Sequence, residues 1–80
     1  MFIINFKNYD EIAGTKSARL AKSAAKIAKK HRVRIVVCPP QHMMSEMTRV
    51  SSDVFAQHLD NSKVGSTTGF VVPEIVKKSR

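Results

Sequence analysis

Cysteine and long apolar runs are scarce in this sequence. Its 80 residues contain a single cysteine, Cys38, which excludes an internal disulfide and favours a reducing compartment over a secreted one. Residues 1–7 are apolar over too short a stretch for a signal-peptide core, and no later run approaches the roughly 20 apolar residues that span a bilayer. We therefore expect a soluble, cytoplasmic protein with one small domain and a core of marginal stability.

Acidic residues are also few. Six Asp and Glu stand against fourteen Lys and Arg, which gives a formal net charge of +8. A charge of this size attracts phosphates, nucleic acid or anionic lipid. The excess is local, because more than half of the basic residues lie in one stretch: Lys16, Arg19, Lys22, Lys26, Lys29, Lys30, Arg32 and Arg34.

The first half of the chain predicts a strand, a helix and a second strand. Residues 2–6 and 33–38 are short apolar runs rich in strand-forming residues, and Pro39-Pro40 ends the second because proline cannot donate to a ladder. Between them, apolar residues recur at three- and four-residue spacing, which predicts an amphipathic helix from near residues 13–15 to His31. The apolar positions are Ala13, Leu20, Ala21, Ala24, Ile27 and Ala28.

The second half repeats this alternation. Met43, Met44, Met47 and Val50 have helical spacing within a predicted helix over 41–50, and residues 54–57 predict a third, short strand. Residues 60–69 are rich in turn formers, and a helix is expected to start at Pro73. The chain stops in that helix without a C-cap, so truncation is expected. Strands joined by helices are parallel, which predicts an α/β fold with about three βα units.

Two polar residues share one face of the first strand. Asn5 and Lys7 are two positions apart and project to one side, whereas Phe2, Ile4 and Phe6 project to the other. The carboxyl ends of parallel strands are where α/β proteins place their ligand sites. The residues alone also allow a structural role, in which Lys7 leaves the strand for water and Asn5 hydrogen-bonds loop backbone groups.

Five short patterns then follow one another along the chain. They are Asn5-Phe6-Lys7 with Tyr9, Val37-Cys38-Pro39-Pro40-Gln41, the run from Val54 to Asp60, Gly65-Ser66-x-Thr68-Gly69, and Val72-Pro73-Glu74-x-Val76-Lys77. No single pattern is specific. The ordered set resembles the N-terminal portion of the triosephosphate isomerase family, most closely its archaeal-type branch, and the resemblance covers residues 1–80.

The resemblance implies that residues 1–80 are the N-terminal part of a TIM-barrel domain, a partial (β/α) barrel cut in its third helix; the complete barrel typically has roughly 250 residues. It implies an enzyme of glycolysis and gluconeogenesis that interconverts dihydroxyacetone phosphate and glyceraldehyde 3-phosphate through an enediolate. No cofactor or metal is expected. The full-length protein is expected to be a homo-oligomer, either a dimer or a tetramer.

The resemblance also assigns residue roles. Asn5, Phe6 and Lys7 form the substrate-binding site, with Lys7 as the catalytic residue that stabilises negative charge developing on the substrate oxygen. Asn5 would hydrogen-bond the same oxygen region, and Phe6 would contribute through its backbone or by packing. The family's glutamate base and electrophilic histidine follow later strands, so the isolated chain is predicted to be inactive.

The fourth pattern departs from the family. Its archaeal-type branch often has histidine at the positions occupied here by Thr67 and Phe70. In the family this loop reaches into the neighbouring subunit, and Thr68 is the residue expected to make that contact. Without the resemblance, residues 65–69 read as a flexible surface loop.

A nucleic-acid-binding role for the basic helix over 16–30 is the main alternative. Aromatic residues are absent between Tyr9 and Phe55, so no stacking platform accompanies the charge and nucleic acid is not the expected partner.

Two further alternatives are weaker. A metal site would need Cys38, His42 and His58, but Pro39-Pro40 keeps the first two off a shared helix face and paired cysteines are missing. A small interaction module without chemistry has no positive support in the sequence.

Overall fold

Two parallel strands form the sheet of this protein. The structure is a computed structural model that describes residues 1–50 and 53–79. Strand β1 spans Phe2–Asn5 and strand β2 spans Ile35–Cys38. They pair in parallel with Phe2 opposite Ile35 and Asn5 opposite Cys38. The predicted parallel α/β arrangement is confirmed, and both strands are shorter than the sequence indicates.

The predicted third strand is wrong in its extent. In the described part of the chain, residues 53–57 contribute a single parallel bridge between Val54 and Val37. Val37 N–H donates to the carbonyl of Asp53, and Phe55 N–H donates to the carbonyl of Val37, each at 3.0 Å. The next rung would need an N–H at Pro39, which proline lacks, so the ladder ends there.

Helix α1 spans Thr15–His31 and connects β1 to β2, which confirms the predicted amphipathic helix and its end. Its buried face consists of small residues, Ser17, Ala21 and Ala24, which allow the helix axis to approach the sheet closely. Ser17 is the polar exception, and its hydroxyl donates to the carbonyl of Ile12. Lys29, Lys30 and His31 occupy the last turn, where positive charge opposes the negative end of the helix dipole.

The methionine-rich segment forms a short, irregular helix. A 3-10 helix over Gln41–Met43 leads into helix α2, Met44–Met47. Helical hydrogen bonding continues beyond α2, since Thr48 N–H donates to the carbonyl of Met44 and Val50 N–H donates to the carbonyl of Met47. The predicted helix over 41–50 is therefore confirmed in position, although its regular part is brief.

The core lies between α1, α2 and the inner face of the sheet. Its buried members are Phe6, Ala21, Ala24, Val37, Met43 and Met47, with Ile4, Ile12, Ala18, Ile35, Val50 and Val54 packed around them. The three methionines of the 41–50 segment are all buried, which confirms them as core residues. On the opposite face of β1, Ile3 is 58% exposed, so this side of the sheet is open.

The rest of the described chain is a loop and a final helix. Residues 58–72 contain no regular helix or strand, and helix α3 spans Pro73–Lys78 with proline in its first turn. Both features were predicted. A 3-10 helix over Asp10–Ile12 was not predicted. Among the helices that the structure describes, none combines the length and apolarity needed to cross a membrane.

Helix α1 ends at a residue in an unfavourable backbone conformation. Arg32 has φ of 53° and its N–H donates to the carbonyl of Ala28, a left-handed cap that normally favours glycine. We expect Arg32→Gly to raise the free energy of unfolding by about 1 kcal/mol over Arg32→Ala, because only glycine removes the Cβ clash. Both variants lose the charge, so their difference in urea unfolding isolates the backbone effect. Equal stabilities would contradict this explanation.

Candidate functional site

The predicted site residues lie where β1 ends. The Oδ1 atom of Asn5 accepts a hydrogen bond from the backbone N–H of Lys7 at 2.9 Å. Between them, Phe6 is 4% exposed and belongs to the core, while its N–H donates to the carbonyl of Cys38 at 3.0 Å. Asn5 and Lys7 are exposed. Burial therefore alternates over residues 5–7, although Lys7 lies beyond β1 with φ of 57° and Phe2 is 61% exposed.

The hydrogen bond within this pair uses one half of the Asn5 amide. Its oxygen satisfies the loop backbone, which is the structural role considered above. Its Nδ2 group has two donors that suit an oxygen atom of a ligand. The two roles are compatible, because the contact to Lys7 N–H fixes the side chain in the orientation from which it could donate.

Lys7 has an unusual backbone conformation. Its φ is 57°, in the left-handed region that costs an L-residue about 1–2 kcal/mol. Its Nζ atom lies 6.0 Å from the centroid of the Tyr9 ring, a distance at the limit of a cation–π contact. A non-glycine residue held in this region at the end of a strand is a common feature of functional sites.

Gln57 fixes the backbone of Lys7 from the third segment. Its Nε2 donates to the carbonyl of Lys7 at 3.0 Å and to the carbonyl of Cys38 at 2.9 Å. Two carbonyls face this end of the side chain, so it must be the NH₂ end. One half-buried side chain thus joins the ends of β1 and β2 to residues 53–57.

Thr68 lies in the loop between Asp60 and Val71 and is exposed. The ends of the loop are joined: Asp60 N–H donates to the carbonyl of Val71 at 2.9 Å, and Val71 N–H donates to Oδ2 of Asp60 at 2.6 Å. Nε2 of His58 donates to the other carboxylate oxygen, Oδ1, at 2.9 Å. These bonds, first that from Val71 and then that from His58, hold the pKa of Asp60 below its ordinary value.

In the described part of the chain, Cys38, His42 and His58 are not members of a cluster that could hold a metal ion. Within residues 1–50 and 53–79, no group of three or more His, Cys, Asp and Glu side chains is placed to hold a metal ion. His58 is paired with Asp60, and His42 is exposed in the 3-10 helix that follows β2. Cys38 is buried at the end of β2, and this burial raises the pKa of its thiol.

A groove in the described structure lies away from these residues. It has a volume of about 400 Å³ between α2, residues 54–59 and α3, and neither Asn5 nor Lys7 lines it. Asn5 and Lys7 are exposed where β1 ends. The residues that line the groove are mainly apolar. The polar side chains of Asn5 and Lys7 could bind an anion, so the end of β1 is the better candidate for the functional site.

Sequence reasoning missed the roles of Gln57 and Asp60. Gln57 belongs to the third pattern, but its side chain contacts residues 19 and 50 positions away, which no local spacing indicates. Asp60 was noted only as the last residue of the third pattern and as one of several turn formers. Its position directly before a run of polar and glycine residues was the available signal.

We expect Gln57→Leu to lower the free energy of unfolding by about 1–2 kcal/mol, because the carbonyls of Lys7 and Cys38 lose a shared donor. Amide hydrogen exchange at Phe6 and Lys7 should also be faster in the Gln57→Leu variant. The matched control is Gln41→Leu, at an exposed glutamine beyond β2, which should leave both quantities near wild type. If the Gln57 variant behaved like this control, the proposed link between the strand ends would not exist.

The low pKa of Asp60 gives its hydrogen bonds a defined pH dependence. A carboxylate with a depressed folded-state pKa stabilises the fold above its unfolded value, and this contribution is lost as the pH falls through the folded-state pKa. The ordinary value is 3.8. Wild type should therefore be more stable than Asp60→Asn at about pH 5, and the gap should narrow as the pH falls below 3.8 towards the folded-state pKa. Urea unfolding of both proteins tests this, and a gap independent of pH would contradict it.

Comparison with known proteins identifies the family of this chain. The family model for triosephosphate isomerase matches residues 1–80. A triosephosphate isomerase of Cenarchaeum symbiosum (strain A) is 48% identical over 79 residues, covering 99% of this chain and 36% of the relative. Those of Saccharolobus solfataricus and Methanopyrus kandleri are 37% and 38% identical, covering 96% and 92% of this chain and 34% of each relative.

The chain thus spans about a third of the length of the curated relatives that it matches. The matched relatives are archaeal, as the sequence patterns predicted. The chain belongs to the triosephosphate isomerase family and is similar to the N-terminal portion of its archaeal-type members.

Proposed function

We propose that this chain supplies the substrate-binding part of a triosephosphate isomerase, which interconverts dihydroxyacetone phosphate and glyceraldehyde 3-phosphate by proton transfer through an enediolate. The observation that carries the proposal is the pair formed by Asn5 and Lys7, exposed together at the carboxyl end of β1 and linked by a 2.9 Å hydrogen bond. The family match over residues 1–80 supports the choice of reaction.

In this proposal Lys7 is the catalytic residue of the chain. Its ammonium is a compact charge that attracts the phosphorylated substrate and stabilises the oxygen on which negative charge develops. The backbone of Lys7 is fixed at both ends, by Asn5 at its N–H and by Gln57 at its carbonyl. Such fixation favours catalysis because the charge does not need to be reorganised during the reaction.

Asn5 and Phe6 complete the substrate site. Asn5 donates from its Nδ2 group to the same oxygen region, while its Oδ1 remains on Lys7 N–H. Phe6 acts by packing, since its side chain is buried in the core, and its backbone ties the site to β2. These contacts hold the two polar residues at a constant distance from one another.

Proton transfer requires groups that this chain does not supply. A general base must lie within hydrogen-bond reach of the proton that it removes, and by family resemblance that base is a glutamate of a later strand. Of the three histidines, His31 ends α1, His42 follows β2 and His58 binds Asp60. We infer that the chain acts only as part of the complete barrel, which functions without a cofactor as a dimer or tetramer in the cytoplasm. In that assembly Thr68 contacts the neighbouring subunit.

The basic face of α1 does not change this conclusion. Lys16, Lys22 and Lys26 are exposed, as expected for the solvent side of a helix that packs on a sheet. No specific contact favours a nucleic-acid partner, and the family match does not favour it either.

Reconstitution of a divided barrel tests the proposal. The chain should show no isomerase turnover alone, and turnover should appear when it is combined with the remaining, C-terminal two-thirds of the Cenarchaeum symbiosum relative. In the reconstituted protein, Lys7→Ala should lower kcat/KM by a factor on the order of 100 to 1,000. Lys26→Ala, at an exposed lysine of α1, is the matched control and should retain full activity.

Two results would contradict this assignment. Turnover by the isolated chain that disappears in Lys7→Ala would show that it carries its own base. Equal activity of the Lys7 and Lys26 variants would show that the ammonium of Lys7 takes no part in the reaction.

A further inference from the structure

The loop over residues 61–70 projects from the protein with little support of its own. All its residues are exposed apart from Ser62, which is half-buried. The backbone hydrogen bond described within it joins Thr67 N–H to the carbonyl of Gly65. Gly69 has φ of 83°, a left-handed conformation suited to glycine, and reverses the chain before Val71.

The ends of this loop meet at one carboxylate. Asp60 and Val71 exchange two hydrogen bonds, at 2.9 Å through the main chain of Asp60 and at 2.6 Å through its Oδ2. Oδ1 of Asp60 accepts from His58 at 2.9 Å. In the described structure, each of the three hydrogen bonds at the loop base therefore involves Asp60, and two involve its side chain.

An aspartate suits this position for a chemical reason. Its two carboxylate oxygens accept from two donors at once, and hydrogen bonds to a charged acceptor are stronger than those between neutral groups. The side chain is also short enough to reach Val71 N–H while the main chain of Asp60 bonds to the Val71 carbonyl. Val72 follows directly, is 8% exposed, and leads into α3, so the second end of the loop is anchored in the protein.

We propose that Asp60 is a positioning residue: its carboxylate closes the 61–70 loop and fixes the place at which Thr68 is presented to a second copy of the chain. The docking part of this statement rests on the proposed function, in which Thr68 contacts the neighbouring subunit. The closure of the loop rests on the three hydrogen bonds alone.

Preorganisation is what this arrangement contributes. An open loop of ten residues would lose conformational entropy when it docks, and this loss would weaken association. A loop already closed at its base loses less. Asp60 thus acts on association without a contact of its own to the second copy.

Amide exchange measured by NMR on the 80-residue chain tests the closure. We expect Asp60→Ala to accelerate exchange at Val71 on the order of tenfold and to shift the Thr68 and Gly69 resonances, with α1 amides unchanged. Asp60→Asn keeps one oxygen acceptor for Val71 N–H and should restore part of the protection. Asn61→Ala, at the adjacent exposed position, is the control and should match wild type.

The outcomes separate the two parts of the proposal. Wild-type exchange at Val71 in Asp60→Ala would overturn it, as would an Asp60→Asn variant no better protected than the alanine variant. If Asp60→Ala also unfolds α1, the test uses His58→Ala instead. The proposal then stands only if His58→Ala accelerates amide exchange at Val71 and shifts the Thr68 resonance.

Sedimentation of the reconstituted barrel tests the docking part. Asp60→Ala and Thr68→Ala should both weaken self-association, whereas Asn61→Ala should not. If Val71 exchange responds to Asp60→Ala but neither variant alters association, the closure is supported and the subunit contact of the proposed function is wrong. Isomerase activity that survives in that case leaves the assignment of the reaction intact.

Discussion

The carbonyl of Cys38 is the point at which the three segments of the sheet are joined. It accepts from Phe6 N–H of the first segment and from Nε2 of Gln57 of the third. Both donors also define the candidate site, since Phe6 precedes Lys7 in the chain and Gln57 binds the Lys7 carbonyl. The position of the lysine therefore depends on this acceptor, although no atom of Cys38 has a chemical role.

The sequence was sufficient to predict the elements whose residues carry a local signal. The small and apolar residues of α1 recur at helical spacing, and Pro73 marks the start of α3. The prediction of a third strand over 54–57 was wrong in its extent for a reason that lies outside those residues. Strand formers at 54–57 favour a strand, but further pairing requires an N–H donor at the residue that follows β2, and Pro39 has none. Both facts were present in the sequence, and only the register of the two segments connects them.

The site was predictable only in part. Asn5 and Lys7 could be found because they share a face of one strand and belong to an ordered set of patterns. The roles of Gln57 and Asp60 could not be predicted. Gln57 contacts Lys7, which is 50 positions away in the sequence, and Asp60 contacts Val71, which is 11 positions away. Contacts at such separations depend on how the segments pack, and a polar residue in a loop has many possible partners. The sequence therefore indicates candidate ligand-binding residues more readily than it indicates the residues that hold them in place.

The left-handed backbone conformation of Lys7 lowers the stability of the fold, whereas the lysine side chain supplies the charge that the proposed function requires. Glycine is the residue that would adopt a φ of 57° without strain, and it has no charge to offer a phosphate. Under the proposed function, a lineage that no longer needed the reaction would gain stability by replacing this lysine with glycine, whereas a lineage that depends on the reaction must retain the strained form. If Lys7 has the role proposed for it, the residue at position 7 indicates whether a chain of this kind is still under selection as an enzyme.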